Sequence, residues 1–295
     1  MTMARSVQPN KRNTRLAWKN RLFPIIGFLV LAVVTIIMLS PLWFMLTTSL
    51  KTTKEMLHFP PTFIPKTFAF NNFSNLFTNS DIKFGQQYKN SVIVAVFNVI
   101  GTVLSSSFVA FGFARYRAPG KDLLFMLLLS TLMLPYPAIM IPQFLFFTKL
   151  GIHDSLLPLI LPAFFGSAYM IFLMRQFFST LPGELFDAGR IDGCSEFRLY
   201  WKIALPLSGA VIATVSIFTF IWTWNDLLGP VIYLDSQEKF TLPIGMASML
   251  SSKFRIAPWN LLMAASILSV LPIVTLFAFA QKRFVEGIVL TGLKG

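Results

Sequence analysis

Residues 187–206 read DAGRIDGCSEFRLYWKIALP, and six of these twenty are charged in a chain where 13% are. Catalysis would need nucleophiles, bases or metal ligands at workable spacing, and the chain supplies few. His58 and His153 stand in separate connecting segments with no second ligand nearby, and Cys194 is the single cysteine. That set makes neither a disulfide framework nor a metal-ligand pattern, so no metal site and no catalytic residue are expected. The phosphate-cradling pattern GxxxxGK[ST] is missing, so ATP hydrolysis is not expected from this chain. What remains for the charged stretch is recognition.

Its residue types predict two short helices around a bend. Pro182 suits a first helical turn, and Glu184 and Asp187 complement the positive end of the helix dipole. Gly193 can take a left-handed conformation and turn the chain. Ser195 can cap a second helix, on which Phe197, Tyr200, Trp201 and Ala204 fall at i, i+3, i+4 and i+7, one predicted face. Ala188, Gly189 and Gly193 keep the bend small. Such a unit can enter a groove in a soluble partner or lie on a lipid surface with Arg198 and Lys202 snorkelling. The residues alone weigh these two equally.

The flanking sequence decides the environment. With 55% hydrophobic residues, 32 Phe and a mean hydropathy of +0.67, the chain is too apolar for a soluble surface. Apolar runs near 22–46, 91–114, 123–148, 155–174, 205–225 and 260–280 contain no Asp, Glu, Lys, Arg or His in their interiors. Each is long enough to cross the hydrocarbon layer, which needs about 20 residues. An all-α, six-helix integral membrane bundle follows, with a basic tail at 1–21 and a membrane domain at 22–295. The first run is too long for a signal-peptide core and is expected to be retained. With the N-terminus inside, 16 of 25 cationic residues face the cytoplasm. Both termini and the stretch 182–206 are therefore predicted to be cytoplasmic. The net charge of +13 lies in clusters at the ends of apolar runs, which argues for orientation signals and against nucleic-acid binding. Residues 51–89 and 227–259 are the long outer segments, connecting the spans or docking a partner.

The stretch resembles the cytoplasmic motif of ABC importer permeases: EAA, three residues, G, nine residues, I, one residue, LP. Here Asp187-Ala188-Gly189, Gly193, Ile203 and Leu205-Pro206 keep every spacing. Asp replaces Glu at 187 and Gly replaces Ala at 189; the glycine is expected to loosen the first helix by about 1 kcal/mol. ARYRAPGK (114–121), TWNDLLGPVIYL (223–234), WNLLMAASILSVLPI (259–273) and QKRFVEGIVLTGLKG (281–295) are similar to the carbohydrate-importer branch. Nearly the whole chain resembles the second, six-span permease of maltose/maltodextrin-type systems.

That resemblance implies a type I importer permease fold in a bacterial or archaeal plasma membrane. It implies a dimer of ATP-binding subunits carrying ATP and Mg²⁺, a second and different permease, and an extracytoplasmic solute-binding protein. No cofactor is implied in this chain. Asp187, Ala188, Gly189, Asp192, Gly193, Phe197, Trp201, Ile203, Leu205 and Pro206 would form the ATPase-coupling segment. Asp187 would pair with a cation on the ATPase, and Lys294 and Gly295 would end a tail reaching between the ATPase subunits. Seven groups in or near spans are candidates for a substrate path: Asn98, Tyr136, Gln143, Ser167, Tyr169, Ser216 and Trp222. Interhelical bonding is the commoner use of such groups, although sugars favour aromatic platforms and neutral hydrogen-bonding partners. Pro135, Pro137 and Pro142 are expected to kink the third span. Two alternatives stand beside sugar import: an ion-coupled secondary carrier, whose spans usually hold ionisable residues, and ABC import of a non-sugar solute.

Overall fold

A computed structural model describes residues 11–60, 62–251 and 257–292. Among them every regular element is helical. The first helix, α1, runs over Lys11–Ser49, so part of the basic tail is continuous with the first apolar run. Its stretch Pro24–Ser49 is long and apolar enough to cross a membrane and packs little of itself inside the chain.

Helix α2, Phe84–Arg115, is the hub. Small and polar residues line its buried side, among them Ser91, Ala95, Gly101, Ser106, Ser107 and Ala110. Small side chains let neighbouring backbones approach, which is how apolar helices pack where lipid offers no hydrophobic drive. Phe97, Ile100, Leu104 and Phe108 face outward on the same helix.

The third predicted span is broken rather than kinked. Lys121–Ser130 (α3) continues through a 3₁₀ turn to Met133 and meets Tyr136–Lys149 (α4) at 98°. Pro135 occupies the N-cap of α4 and Pro137 its first turn, where a missing N–H costs nothing. Those two prolines start a helix; only Pro142 lies inside one.

After short turns at 157–165 comes α5, Ala168–Thr180, and the stretch Leu157–Thr180 again has spanning length. Two short helices follow, α6 (Gly183–Ile191) and α7 (Glu196–Leu199). The chain then runs through a π-helical turn, Tyr200–Ala204, to Leu207 and meets α8, Gly209–Trp224, at 80°. Leu205 and Pro206 therefore lie before the bend that leads into α8. Helices α9 (Leu228–Tyr233) and α10 (Leu242–Ser248) lie in the next connection. Helix α11 is Trp259–Gly292. Among the described residues four stretches thus reach spanning length and apolarity, or six when each bent pair counts as one.

Two core clusters hold the bundle. One, at the end bearing α6 and α7, joins Phe111, Met170, Met174, Phe178, Phe186, Leu199, Tyr200 and Val215. The other, at the opposite end, joins Leu76, Ile82, Phe84, Trp224, Leu242 and Leu262. Helix α2 contributes to both.

Candidate functional site

The bend between α6 and α7 forms as its residue types require. Gly193 has φ of +78°, the left-handed conformation that glycine adopts without steric cost. Its N–H donates to the Arg190 carbonyl at 3.0 Å and that of Cys194 to Gly189 at 2.9 Å. This pair of bonds is the Schellman arrangement, which satisfies carbonyls left open at a helix end. The Ser195 hydroxyl then accepts the Arg198 N–H and caps α7.

Gly189 behaves differently from the loosening expected. It is buried, and a Cβ there would stand 2.5 Å from Leu199 Cδ2 and 3.1 Å from Ile203 Cδ1. The missing side chain lets the second helix lie directly on the first. Leu199 fills that space and is fully buried.

The predicted apolar face also splits. Tyr200 and Ala204 are buried, whereas Phe197 is 63% and Trp201 51% exposed. The buried side is centred on Leu199, Tyr200 and Ala204, which leaves Phe197 and Trp201 at its outer edge, and the chain continues from Tyr200 to Ala204 as a π-helical turn. Leu199, outside the predicted stripe, takes the core position instead. Phe197 and Trp201 stack outward at 6.3 Å between ring centroids, with Arg198 and Lys202 exposed beside them.

Three of the six charged residues pair within the segment. Arg190 Nη1 donates to Asp187 Oδ1 and Arg190 Nε to Glu196 Oε1, each at 2.8 Å. Glu196 Oε2 accepts the Tyr116 hydroxyl at 2.9 Å. Arg190 holds the Glu196 carboxyl below its ordinary range, while burial, then the Glu196 bond, push Tyr116 up to about 12. Asp187, expected to favour a helix start, lies instead in the middle of α6 and faces Arg190. At the tip, Ile191 is 87% exposed, with Ala188, Asp192 and Gly193 also exposed. Ile191 was not among the expected contact residues; an isoleucine beside a glycine bend was the available signal.

Helix α2 supports the segment from behind. The Ser107 and Tyr200 hydroxyls share a buried hydrogen bond of 2.7 Å. Arg115 donates to the Phe178 and Leu181 carbonyls at 2.6 Å each, closing the end of α5, and stacks over the Phe186 ring at 4.3 Å. These partners lie about sixty to ninety residues apart and carry no local sequence signal.

The seven span residues do not gather in one cavity. Asn98 donates to the Val94 and Leu159 carbonyls, and the Ser167 N–H donates to Ser106 Oγ, so both serve packing between elements. Gln143 accepts the Tyr233 hydroxyl at 3.3 Å, and Tyr136 is bonded to the same tyrosine. Tyr169 and Trp222 pair their rings at 5.9 Å on a partly exposed surface, and Ser216 is half-buried on α8. Lys294 and Gly295 lie outside the described residues.

At the opposite end Asp154 clasps the next connection. Its carboxylate accepts the Asp235 and Ser236 amides, the Ser236 hydroxyl and Lys239 Nζ. The lysine and serine bonds hold this carboxyl well below the usual range. Asn90 on α2 donates to the Glu238 and Phe240 carbonyls at 2.8 and 3.0 Å. Among the described residues no cluster of His, Cys, Asp and Glu could hold a metal ion.

The family described as "Binding-protein-dependent transport system inner membrane component" matches residues 101–289, which include α6 and α7. The arabinooligosaccharides transport system permease protein AraQ of Halalkalibacterium halodurans is 34% identical over 282 residues, covering 94% of this chain and 100% of that one. The sn-glycerol-3-phosphate transport system permease protein UgpE of Yersinia enterocolitica is 34% identical over 264 residues, covering 88% and 94%. In fold, the chain matches part of a bacterial ABC transporter involved in the import of the acidic polysaccharide alginate. The TM-score is 0.80 at 20% identity, covering 95% of this chain and 100% of that one.

Proposed function

The chain belongs to the inner membrane components of binding-protein-dependent transport systems, and from that premise we propose a sugar or oligosaccharide importer. Permease subunits of this kind are not enzymes, and they work with an ATPase and a solute-binding protein. In this reading α6 and α7 seat in a cleft of the ATP-binding subunits, which bind ATP and Mg²⁺ and hydrolyse the nucleotide. Closure of the ATPase dimer drives α6 and α7, and the spans alternate between inward-facing and outward-facing states. A second, different permease completes the path, and both termini face the cytoplasm.

The observation that carries the reading is the tip of α6. Exposed Ala188 and Ile191 sit beside a glycine bend that is locked by a Schellman pair and by the Asp187–Arg190–Glu196 chain. A rigid, small-residue knob with one large apolar side chain suits a concave protein partner. Neutral sugar is favoured as cargo by the arabinooligosaccharide relatives and by two neutral groups, Tyr136 and Gln143 around Tyr233 and the ring pair Tyr169–Trp222. The UgpE relatives support a second reading, import of a phosphorylated polyol.

The test is reconstitution of the full complex in vesicles, with uptake of neutral oligosaccharides, glycerol phosphate and uronate oligomers measured against ATP. ATP-dependent accumulation of a neutral sugar is expected. Uptake abolished by a protonophore and indifferent to ATP would overturn the ABC reading; uptake of glycerol phosphate alone would replace the cargo.

A further inference from the structure

Movement of α6 and α7 has two covalent exits, and both are interrupted. Towards α5 the chain passes Leu181 and Pro182 in extended conformation. Towards α8 it passes Ser208, where the helices meet at 80°. A broken helix transmits an axial push poorly, because the joint absorbs it in two soft dihedrals.

The non-covalent route is continuous, and it leads to α2. Tyr116, the residue that ends α2, bonds Glu196 at the start of α7, and Glu196 is held by Arg190 of α6. Two turns further into α2, Ser107 bonds Tyr200. Between these two hydroxyls the Phe111 ring packs against Tyr116, Phe186 and Tyr200 at centroid distances of 5.5–5.9 Å. A cavity of about 340 Å³ flanks this contact, lined by Phe108, Gly112, Phe197 and others. Packing alone therefore does not fill the joint, and the two hydrogen bonds fix its geometry. Helix α2 is 32 residues long, about 48 Å at 1.5 Å per residue. Its far end holds the connection before α10 through Lys83, Asn90 and Ser91.

We propose that Tyr116 and Ser107 are positioning residues that make α2 the element receiving the movement of α6 and α7. The proposal rests on the coupling reading above. It assigns to α2, rather than to the covalently attached α5 and α8, the first step from the ATPase face into the spans.

Hydrogen–deuterium exchange on the assembled complex tests it without knowledge of the cargo. Protection of 183–204 and of 100–116 is compared with and without ATP, for the wild type and for Tyr116→Phe, Ser107→Ala and their combination. In the wild type both regions should respond to ATP. In the double variant the response of 183–204 should persist while that of 100–116 falls about fivefold or more, the factor one hydrogen bond sets. An unchanged response of α2 overturns the proposal and leaves the coupling reading standing. A wild-type complex with no response in 183–204 overturns both. Should the double variant fail to assemble, Tyr116→Phe alone decides by the same comparison.

Discussion

Substitution of Gly193 separates backbone strain from crowding at the bend. A Cβ built on this residue meets nothing within 4 Å, so no substituent pays for a clash at its first atom. The cost comes from φ of +78°, about 1–2 kcal/mol for an ordinary L-residue. Asparagine tolerates this region better than alanine, and a β-branched residue tolerates it worst. The predicted order of damage is therefore Asn, then Ala, then Val. At about 1.4 kcal/mol per factor of ten, alanine should lower the ratio of bent to unbent segment roughly five- to thirtyfold. The Schellman bonds to Arg190 and Gly189 carbonyls are lost with it. Co-purification with the ATPase and ATP-dependent uptake, measured on the same vesicle samples, should follow that order while membrane insertion stays unchanged. A crowding account predicts instead that asparagine, larger than alanine, does more harm. That result, or a valine variant with normal assembly and uptake, would refute the strain argument.

Gly189→Ala should lower the thermal midpoint despite a helix-propensity gain of about 1 kcal/mol, because it overpacks Leu199 by roughly 1–3 kcal/mol. Adding Leu199→Val should recover part of the loss, and full stability of the single variant would disprove the close packing. Asp187→Ala should leave the melting curve of the isolated chain nearly unchanged, as exposed ion pairs do, whereas Asp187→Lys should be worse beside Arg190; equal melting curves for the two would count against the pairing. Asp154 has a depressed carboxyl, so its clasp is present above about pH 3.8, its unfolded range, and is lost only as pH falls through the lower folded value. Exchange protection of 233–240 should accordingly be flat from neutral pH to about 4 in the wild type and lower throughout in Asp154→Asn. Loss of wild-type protection near pH 6 would show that another group controls the clasp.

What the sequence disclosed about the site was local. Gly193 turns and Ser195 caps because a conformation and a nearby hydroxyl suffice, and both are written within a few residues. The stripe 197, 200, 201 and 204 misled because Leu199, packed on Gly189, turns the buried side away from Phe197, and no residue type in YWKIA announces the π-helical turn that follows. Gly189 seemed a weak helix former when read alone; its use depends on Leu199, which only the folded bend brings to it. Tyr116, Ser107 and Arg115 were invisible as site residues for the same reason on a larger scale. Their partners lie at separations of about sixty to ninety residues, which helix packing sets and periodicity does not. The third apolar run shows the limit from the other side: proline positions located a disturbance but not its form, a full break with Pro135 as the cap of a new helix.

The concentration of charge at 187–206 now has a physical cause. Arg190 bonds both Asp187 and Glu196 across the bend, so the three act as an internal brace. The brace costs little in solvation because all three remain partly exposed, at 41–69% of their side chains. It leaves two apolar surfaces on different helices of the segment: Ala188 with Ile191 at the tip of α6, and Phe197 with Trp201 on the flank of α7 and the turn after it. Arg190 beside the tip is tied to Asp187 and Glu196, whereas the exposed Arg198 and Lys202 outside the brace adjoin the second surface, the arrangement that suits a headgroup layer. The tip has a small-residue, bend-locked shape and no adjoining cation of that kind, the arrangement that suits a protein cleft. The proposed groove docking and a lipid contact, indistinguishable when the segment is read as one amphipathic helix, would therefore use separate surfaces.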